Sequence, residues 1–85
     1  MKKIIIISDF ILSEISGGAE HYVQVLFDKL SKKYDCQLIK SADIQLNTVS
    51  ENKDSFWIIS NFKLLSEFVK NEIIQNCKYI VVEHD

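Results

Sequence analysis

Two adjacent glycines, Gly17 and Gly18, are the residues of this chain best suited to chemistry, and they stand just before a helical pattern. The first turn of a helix has backbone N–H groups without intrahelical partners and carries the positive end of the helix dipole. Glycine has no side chain, so an anion can come close to that backbone. The pair therefore predicts a turn on which a diphosphate can rest.

Other polar residues at positions where chemistry is conceivable are Glu20, His21, Asn61, His84 and Asp85. Glu20 either lines a binding cleft or is simply an anion favoured at a helix start, and His21 fits a solvated helix residue. Asn61 follows an apolar run as a turn or helix-capping residue. The imidazole of His84 suits proton transfer near neutral pH, and a solvated terminal side chain is the alternative. The sequence alone assigns no general base.

Two phosphate-binding motifs are excluded by the spacing. A dinucleotide fingerprint needs three glycines directly after the first strand and an acid at the end of the second. Here eight residues separate Ser8 from Gly17, the third glycine is missing, and Lys40-Ser41 follows the second strand. A Walker-type loop needs Gly-Lys followed by Ser or Thr, which the sequence lacks.

Composition restricts the class of protein. The chain has 85 residues, of which 47% are apolar, so it has room for one globular domain at most. Its net charge of −2 gives no field that would steer nucleic acid. No apolar run approaches the roughly 18 residues of a membrane span. Ser8 and Asp9 end the first apolar run early, which favours a cytoplasmic start over a signal peptide.

The two cysteines indicate neither a disulfide framework nor a metal site. Cys36 and Cys77 lack CxxC spacing and have no nearby set of metal ligands. We therefore expect two buried, reduced thiols and no bound metal.

Four apolar runs predict the strands that position the candidate residues. Residues 3–8 and 56–60 are unbroken apolar runs, typical of parallel strands buried on both faces, so Trp57 is expected in the core. Residues 36–39 predict a short strand, and residues 79–83 predict a last strand, also of the buried type. Natural folds rarely leave an apolar strand as a bare edge, so we expect a truncated chain; a complete four-strand domain is the alternative.

Two amphipathic patterns predict the helices between these strands. Apolar residues spaced by three and four mark one helix from residue 18 to about residue 34, and a second over residues 64–74. Residues 40–55 are polar and rich in turn-forming side chains, and we expect an irregular connection there. Its few apolar residues allow a weak edge strand or a single helical turn.

This order of elements predicts an α/β fold, a small Rossmann-like parallel sheet of about four strands with helices on its faces. If strand 56–60 crosses to the other side of strand 3–8, the strand order is 2-1-3-4. Ligands of such sheets bind outside the carboxyl ends of the strands, where the strand order reverses. The glycine pair, Asn61 and His84 all follow the carboxyl ends of predicted strands.

The chain resembles the opening of glycosyltransferase family 4 and its two-domain GT-B relatives. Members typically begin with a strand, a loop and Gly-Gly-x-Glu on a helix, matched here by residues 5–10 and 17–20. Residues 58–62 resemble the next strand end lining the cleft, and residues 79–85 resemble a strand ending in a family histidine, matched by His84. The resemblance covers nearly the whole chain, and it implies that residues 1–85 are a partial N-terminal domain.

Some features depart from the family. Ser13 stands where many members have proline, and residues 40–55 are shorter than the usual connection. The rest of the N-terminal domain is missing. So is the entire C-terminal domain, which in the family holds most of the nucleotide sugar.

The resemblance implies transfer of a sugar from a nucleotide-sugar donor to an acceptor, usually with retention at the anomeric carbon and without an obligatory metal or cofactor. A glycan or lipid-linked acceptor is implied, as in polysaccharide biosynthesis. The implied location is cytoplasmic, with peripheral association at the inner face of the membrane as an option for the full-length enzyme. The fragment alone is expected to be inactive, because half of the cleft is missing.

Site residues carried over from the family fall into three roles. Gly17 and Gly18 would hold the donor diphosphate. His84, the candidate catalytic residue, would hydrogen-bond near the transferring sugar. The acceptor side of the cleft would be lined by Glu20, Asn61 and Asp85.

Two other interpretations stay open. A small flavodoxin-like binding or regulatory module without catalysis could use Asp9, at the end of the first strand, as a phosphoacceptor. Such receivers usually have an Asp after the third strand, where this chain has Ser60-Asn61. An interaction module without any ligand is the third possibility.

Overall fold

The computed structural model describes residues 2–9, 18–60 and 64–82, with the backbone only for residues 18–21. In these parts strands and helices alternate. The strands are β1 (Lys3–Ser8), β2 (Asp35–Lys40), β3 (Phe56–Ile59) and β4 (Lys78–Val81). The helices are α1 (Gly18–Leu30), α2 (Leu46–Glu51) and α3 (Glu67–Asn76), and a 3-10 turn covers Ser41–Asp43.

All strand pairs in the sheet are parallel, and the strand order is β2-β1-β3-β4. β1 lies between β2 and β3, with Ile4 aligned with Cys36 on one side and Phe56 on the other. The predicted α/β class, parallel sheet and order 2-1-3-4 are therefore confirmed. β2 lies on one side of β1, and β3 and β4 lie on the other. The direction in which strands are added to the sheet therefore reverses between β1 and β3.

The isoleucines of β1 fill both faces of the sheet, because successive side chains of a strand point to opposite sides. Ile5 and Ile7 belong to the core on the α2–α3 face, whereas Ile4 and Ile6 belong to the core on the α1 face. A central strand covered on both faces gains from apolar residues at every position. This is why the run has no polar alternation.

Two apolar cores hold the helices to the sheet. The smaller core joins β1 and β3 to α1 and is closed by half-buried side chains; its buried members are Ile4, Ile6, Val23 and Ile58. The larger core lies on the other face, under α2 and α3. Its buried members are Ile5, Ile7, Ile44, Val49, Trp57, Ile59, Leu65, Val69 and Ile73.

α1 is shorter than the sequence pattern predicts. It ends at Leu30 instead of continuing to about residue 34, and residues 31–34 form a turn. The Ser31 hydroxyl donates to the Phe27 carbonyl at 2.7 Å, and the Tyr34 N–H donates to the Leu30 carbonyl at 2.8 Å. These bonds satisfy carbonyls that the last helical turn leaves open.

Residues 40–55 are not the irregular connection that the sequence suggested first, and the alternative of a helical turn is closer to what the structure shows. They form the 3-10 turn Ser41–Asp43, whose buried residue is Ser41, and the helix α2, whose buried residue is Val49. Ile44 and Val49 are buried in the larger core, while Leu46 is exposed. With only these two apolar side chains buried, the segment stays mostly polar and its periodicity is hard to recognise.

α3 begins later than the apolar pattern indicates. Its first residue is Glu67 and its N-cap position is Ser66, so Leu64 and Leu65 precede the helix. The N-cap role suggested for Asn61 does not apply to this helix. The Leu64 N–H is bonded to a side chain at the end of β1, which holds residue 64 outside the helix.

β4 is exposed, although its sequence is of the buried type. Tyr79, Ile80 and Val81 are all exposed to solvent. β4 pairs only with β3 in the described part of the chain and forms one edge of the sheet. Apolar composition alone does not distinguish such an edge strand from an interior one, because burial depends on which elements cover it.

Candidate functional site

The carboxyl edge of the sheet is where the candidate site lies. β1 and β2 run side by side, since Lys3 aligns with Asp35 and Ser8 with Lys40. The chain must therefore travel back from the end of β1 to the beginning of β2, and α1 makes that return. The first turn of α1 consequently lies at the carboxyl edge, next to the reversal of strand order between β1 and β3.

Gly18 is the first residue of α1, so it belongs to the turn whose N–H groups lack intrahelical partners. Glu20 and His21 follow in the same turn of the backbone. The helix has 13 residues, enough for its dipole to favour an anion at this end. α1 begins at Gly18 among the described residues, and residues 10–17, which include Gly17, lie outside them.

The remaining predicted site residues lie outside the described residues: Gly17, Asn61, His84 and Asp85. Their sequence neighbours reach the carboxyl edge. The Ser60 N–H donates to the Ile7 carbonyl at 2.8 Å, and the Val82 N–H donates to the Ile59 carbonyl at 2.9 Å.

Several buried polar side chains lie at this edge, and the sequence had pointed only to Asp9 among them, as a possible phosphoacceptor. They are Ser8, Asp9, Ser41 and Ser60. Each takes part in polar interactions within the fold, and no buried side-chain nitrogen or oxygen among the described residues lacks a hydrogen-bond partner. Their sequence signal is that they stand at or just after the carboxyl ends of the strands.

Asp9 joins two distant parts of the chain at this edge. Its Oδ1 accepts a hydrogen bond from the Leu64 backbone N–H at 3.1 Å, across 55 positions in sequence. The side chain is only 7% exposed. A carboxylate that is buried and engaged in this way is poorly placed to accept a phosphoryl group from solvent.

Neither cysteine belongs to the carboxyl edge. Both are free and half-buried rather than fully buried, with Cys36 near the start of β2 and Cys77 just before β4. Burial raises the pKa of the Cys36 thiol, and the Ser31 hydrogen bond partly opposes this. Burial also raises the pKa of Cys77, and nearby Lys53 partly opposes it. Both thiols therefore favour the protonated form, which is the less reactive one.

An apolar groove of about 230 Å³ lies on the α3 side of β4, away from the reversal of strand order. Ile59, Ile74, Tyr79 and Val81 line it with Lys70, whose ammonium is paired with Glu67 at 2.9 Å. Small-molecule sites usually combine apolar walls with several convergent polar groups, and this groove offers few. It is a weaker candidate for a ligand site than the carboxyl edge.

The described residues contain neither a cluster of metal ligands nor a helix that could span a membrane. No group of three or more His, Cys, Asp or Glu side chains there could hold a metal ion. No helix in that part of the chain is both long and apolar enough to cross a membrane.

The carboxyl edge carries the first described turn of α1 and the buried polar side chains at the strand ends. Open N–H groups suit the oxygens of a phosphate or carboxylate. Comparisons of the chain with protein-family models, with curated proteins and with solved structures found no match.

Proposed function

We propose that this chain is the N-terminal part of a glycosyltransferase that moves a sugar from a nucleotide-sugar donor to a glycan or lipid-linked acceptor. The observation that carries the proposal is the start of α1 at Gly18, beside the reversal of strand order in a parallel sheet. Sheets of this order bind ligands at that position. The Gly-Gly-x-Glu sequence in this strand–loop–helix setting supports the choice of a sugar nucleotide.

The roles proposed for the site residues follow the chemistry of the transfer. The bond from the anomeric carbon to the diphosphate breaks, a bond to the acceptor oxygen forms, and the proton of the acceptor hydroxyl passes to the departing diphosphate oxygen. Gly17 and Gly18 would stabilise the charge growing on the departing diphosphate through N–H groups and the helix dipole. His84 would hydrogen-bond near the transferring sugar. The residues proposed for the acceptor side are Glu20, Asn61 and Asp85.

Neither a metal nor a cofactor is required in this proposal, because the helix start supplies the stabilisation of negative charge. The proposed location is cytoplasmic, at the inner face of the membrane when the acceptor is linked to lipid. The 85 residues form one wall of the cleft, and a second Rossmann-like domain would form the other. We therefore expect no turnover of any sugar nucleotide by the 85-residue chain alone.

The proposal is tested by titrating the isotope-labelled 85-residue chain with uridine diphosphate and following the backbone amides by NMR. We expect weak binding, with the shift changes concentrated at Gly17 and Gly18. Uridine without phosphates should not produce them. Changes that uridine reproduces, or that scatter over the sheet, would contradict the proposed diphosphate turn.

A matched pair of variants sharpens this test. Gly18→Val places a branched side chain at the helix start and should abolish the response to uridine diphosphate. Gln24→Val makes the same kind of change one to two turns further along α1, at a half-buried position, and should preserve the response. An equal effect of both substitutions would indicate a general loss of helix stability instead of a lost binding turn.

A flavodoxin-like regulatory module remains the rival function, because the strand order 2-1-3-4 fits it equally well. The buried contact of Asp9 with Leu64 disfavours it. Incubation with acetyl phosphate followed by intact mass spectrometry separates the two: a phosphoryl adduct on Asp9 supports the module. An open reading frame that continues into a second Rossmann-like domain supports the transferase.

A further inference from the structure

We propose that the amino edge of the sheet, where its strands begin, carries a binding site for a small phosphate dianion. The site is a cavity of about 400 Å³. It lies at the opposite edge from the start of α1, so it is separate from the candidate site at the carboxyl edge. It does not depend on the proposed function.

Three lysine side chains line this cavity, and each comes from a different segment of the chain. Lys2 precedes β1, Lys53 lies in the turn between α2 and β3, and Lys78 begins β4. β3 lies between β1 and β4 in the sheet, so the starts of β1 and β4 are two strand spacings, about 10 Å, apart. A flexible four-carbon stem lets their ammonium groups reach a common ligand across that distance.

The cavity has an excess of positive charge. Among the described residues that line it, Asp54 is the one acid beside three ammonium groups, and Gln75, Asn76 and Cys77 are neutral. None of the three ammonium groups forms an ion pair or a hydrogen bond within the described part of the chain. Like charges around one cavity repel one another, so an anion between them is favourable.

The lysines could instead complement helix ends, because α2 and α3 both end at this edge. Other donors, however, already serve carbonyls of those ends. In α3, the Asn76 Nδ2 donates to the Glu72 carbonyl at 3.2 Å. The Cys77 N–H donates to the Ile73 carbonyl at 3.0 Å. The Asn52 side chain donates to a carbonyl of α2 in the same way, so neither helix end depends on a lysine.

The donors of this cavity favour a tetrahedral dianion over a planar carboxylate. Lysine carries three rotatable donors on a compact charge, whereas the planar guanidinium of arginine is the group that matches a carboxylate with two parallel hydrogen bonds. The sequence contains no arginine. A phosphate can accept one hydrogen bond from each ammonium group, and its two negative charges balance three cations and one acid.

The charge of Lys53 reaches the thiol of Cys77 in the wall of the cavity. Burial raises the pKa of the Cys77 thiol, and the positive charge of Lys53 partly opposes that rise. A phosphate bound beside Lys53 would cancel this charge, so the pKa of Cys77 would rise further and less thiolate would be present. Cys77 is therefore a reporter of the site in the unsubstituted chain.

The test is a titration of the isotope-labelled chain with inorganic phosphate at pH 7.5, with sodium chloride at equal ionic strength as the reference. We expect saturable NMR shift changes of the backbone amides of residues 53–54 and 75–78, with a dissociation constant in the millimolar range. Iodoacetamide should alkylate Cys77 more slowly in phosphate than in chloride. Cys36 lies outside the cavity, and its rate should be the same in both salts.

Substitutions that each remove one cation identify the residues of the site. Lys53→Gln and Lys78→Gln should each weaken phosphate binding about two- to fivefold, and the double variant should abolish it. Lys32→Gln is the matched control, because Lys32 is an exposed residue of the turn between α1 and β2 at the same edge and does not line the cavity. It should leave the affinity nearly unchanged.

Three results overturn the proposal. Shift changes that sodium chloride reproduces, or that grow linearly with phosphate without saturation, mean that no site is formed. An equal effect of Lys32→Gln and Lys53→Gln means that net charge, and not the cavity, attracts the anion. Changes confined to Gly18 would place phosphate at the carboxyl edge, which supports the proposed function and refutes this site.

Discussion

The indole Nε1 of Trp57 donates a hydrogen bond to the backbone carbonyl of Asn52 at 3.1 Å, and so joins β3 to the turn that ends α2. Asn52 in turn donates through its Nδ2 to the Thr48 carbonyl at 2.7 Å. Trp57 is fully buried in the larger core, as the sequence suggested. The bond allows this bulky side chain to be buried without an unsatisfied N–H, and it fastens the short helix to the sheet.

Replacement of this tryptophan should weaken the fold measurably. Trp57→Phe removes the N–H and leaves a smaller ring in a fully buried position. We expect the free energy of unfolding to fall by about 1–3 kcal/mol. Urea denaturation followed by far-UV circular dichroism measures the change. Phe68→Ala is the control, because Phe68 is 79% exposed and should cost within about 0.5 kcal/mol.

Val49 is the buried residue of α2, and its substitution tests whether residues 40–55 are folded in solution. Val49→Ala removes two methyl groups from the larger core and should cost about 1–2 kcal/mol, slightly offset by the better helix propensity of alanine. Leu46→Ala, on the exposed side of the same helix, should cost far less. Urea midpoints of the two variants decide the matter, and equal small effects would mean that the segment is a loop after all.

The sequence was sufficient for those features that depend on local pattern. The isoleucine run of β1 and the helical spacing after Gly18 predicted the parallel sheet and, with the family resemblance, its strand order. The expected end of α1 was wrong because local hydrogen bonds from Ser31 and Tyr34 end the helix early. The expected start of α3 was wrong because the Leu64 N–H is bonded to Asp9, 55 residues away. The exposure of β4 agrees with the expectation that this chain leaves its last strand as a bare edge.

For the candidate site, too, the sequence could suggest local features but not contacts between distant residues. The glycine turn is a local feature that the sequence could suggest; Gly18 is the first described residue of α1, and Gly17 lies outside the described residues. The burial and bonding of the Asp9 carboxylate could not be predicted from the sequence, because its partner Leu64 is 55 residues away. The burial of Ser8 and Ser60 likewise depends on neighbouring strands that only the fold brings together.

Both thiols should react slowly near neutral pH. Burial raises the pKa of Cys36 and of Cys77 above the ordinary value of 9.0, so less thiolate is present than in the unfolded chain. We expect iodoacetamide to alkylate the native protein more slowly than the urea-unfolded protein at pH 8. Equal rates in the two states would contradict the burial of the sulfur atoms.

The same shifts have a consequence for stability. Because the native state holds these thiol protons more tightly than the unfolded state, the contribution is full below pH 9 and is lost as the pH rises through the native pKa values. Urea midpoints at pH 7 and pH 10 should therefore fall more for the unsubstituted chain than for the Cys36→Ser/Cys77→Ser double variant. A parallel fall in both proteins would assign the loss to other groups.

The exposed edge strand β4 should make the protein self-associate at high concentration. Ile80 is 47% exposed in the middle of this strand, whose outer side has no partner strand among the described residues. The unpaired backbone groups of such an apolar edge strand can pair with a strand of another chain, and a charged side chain on the edge prevents this pairing. Ile80→Lys should therefore lower the association seen by sedimentation velocity, with little change in the urea midpoint. Val25→Lys adds the same charge at a position of α1 that is 48% exposed, and it should leave association unchanged. If the two lysines act equally, net charge and not the strand edge governs the association.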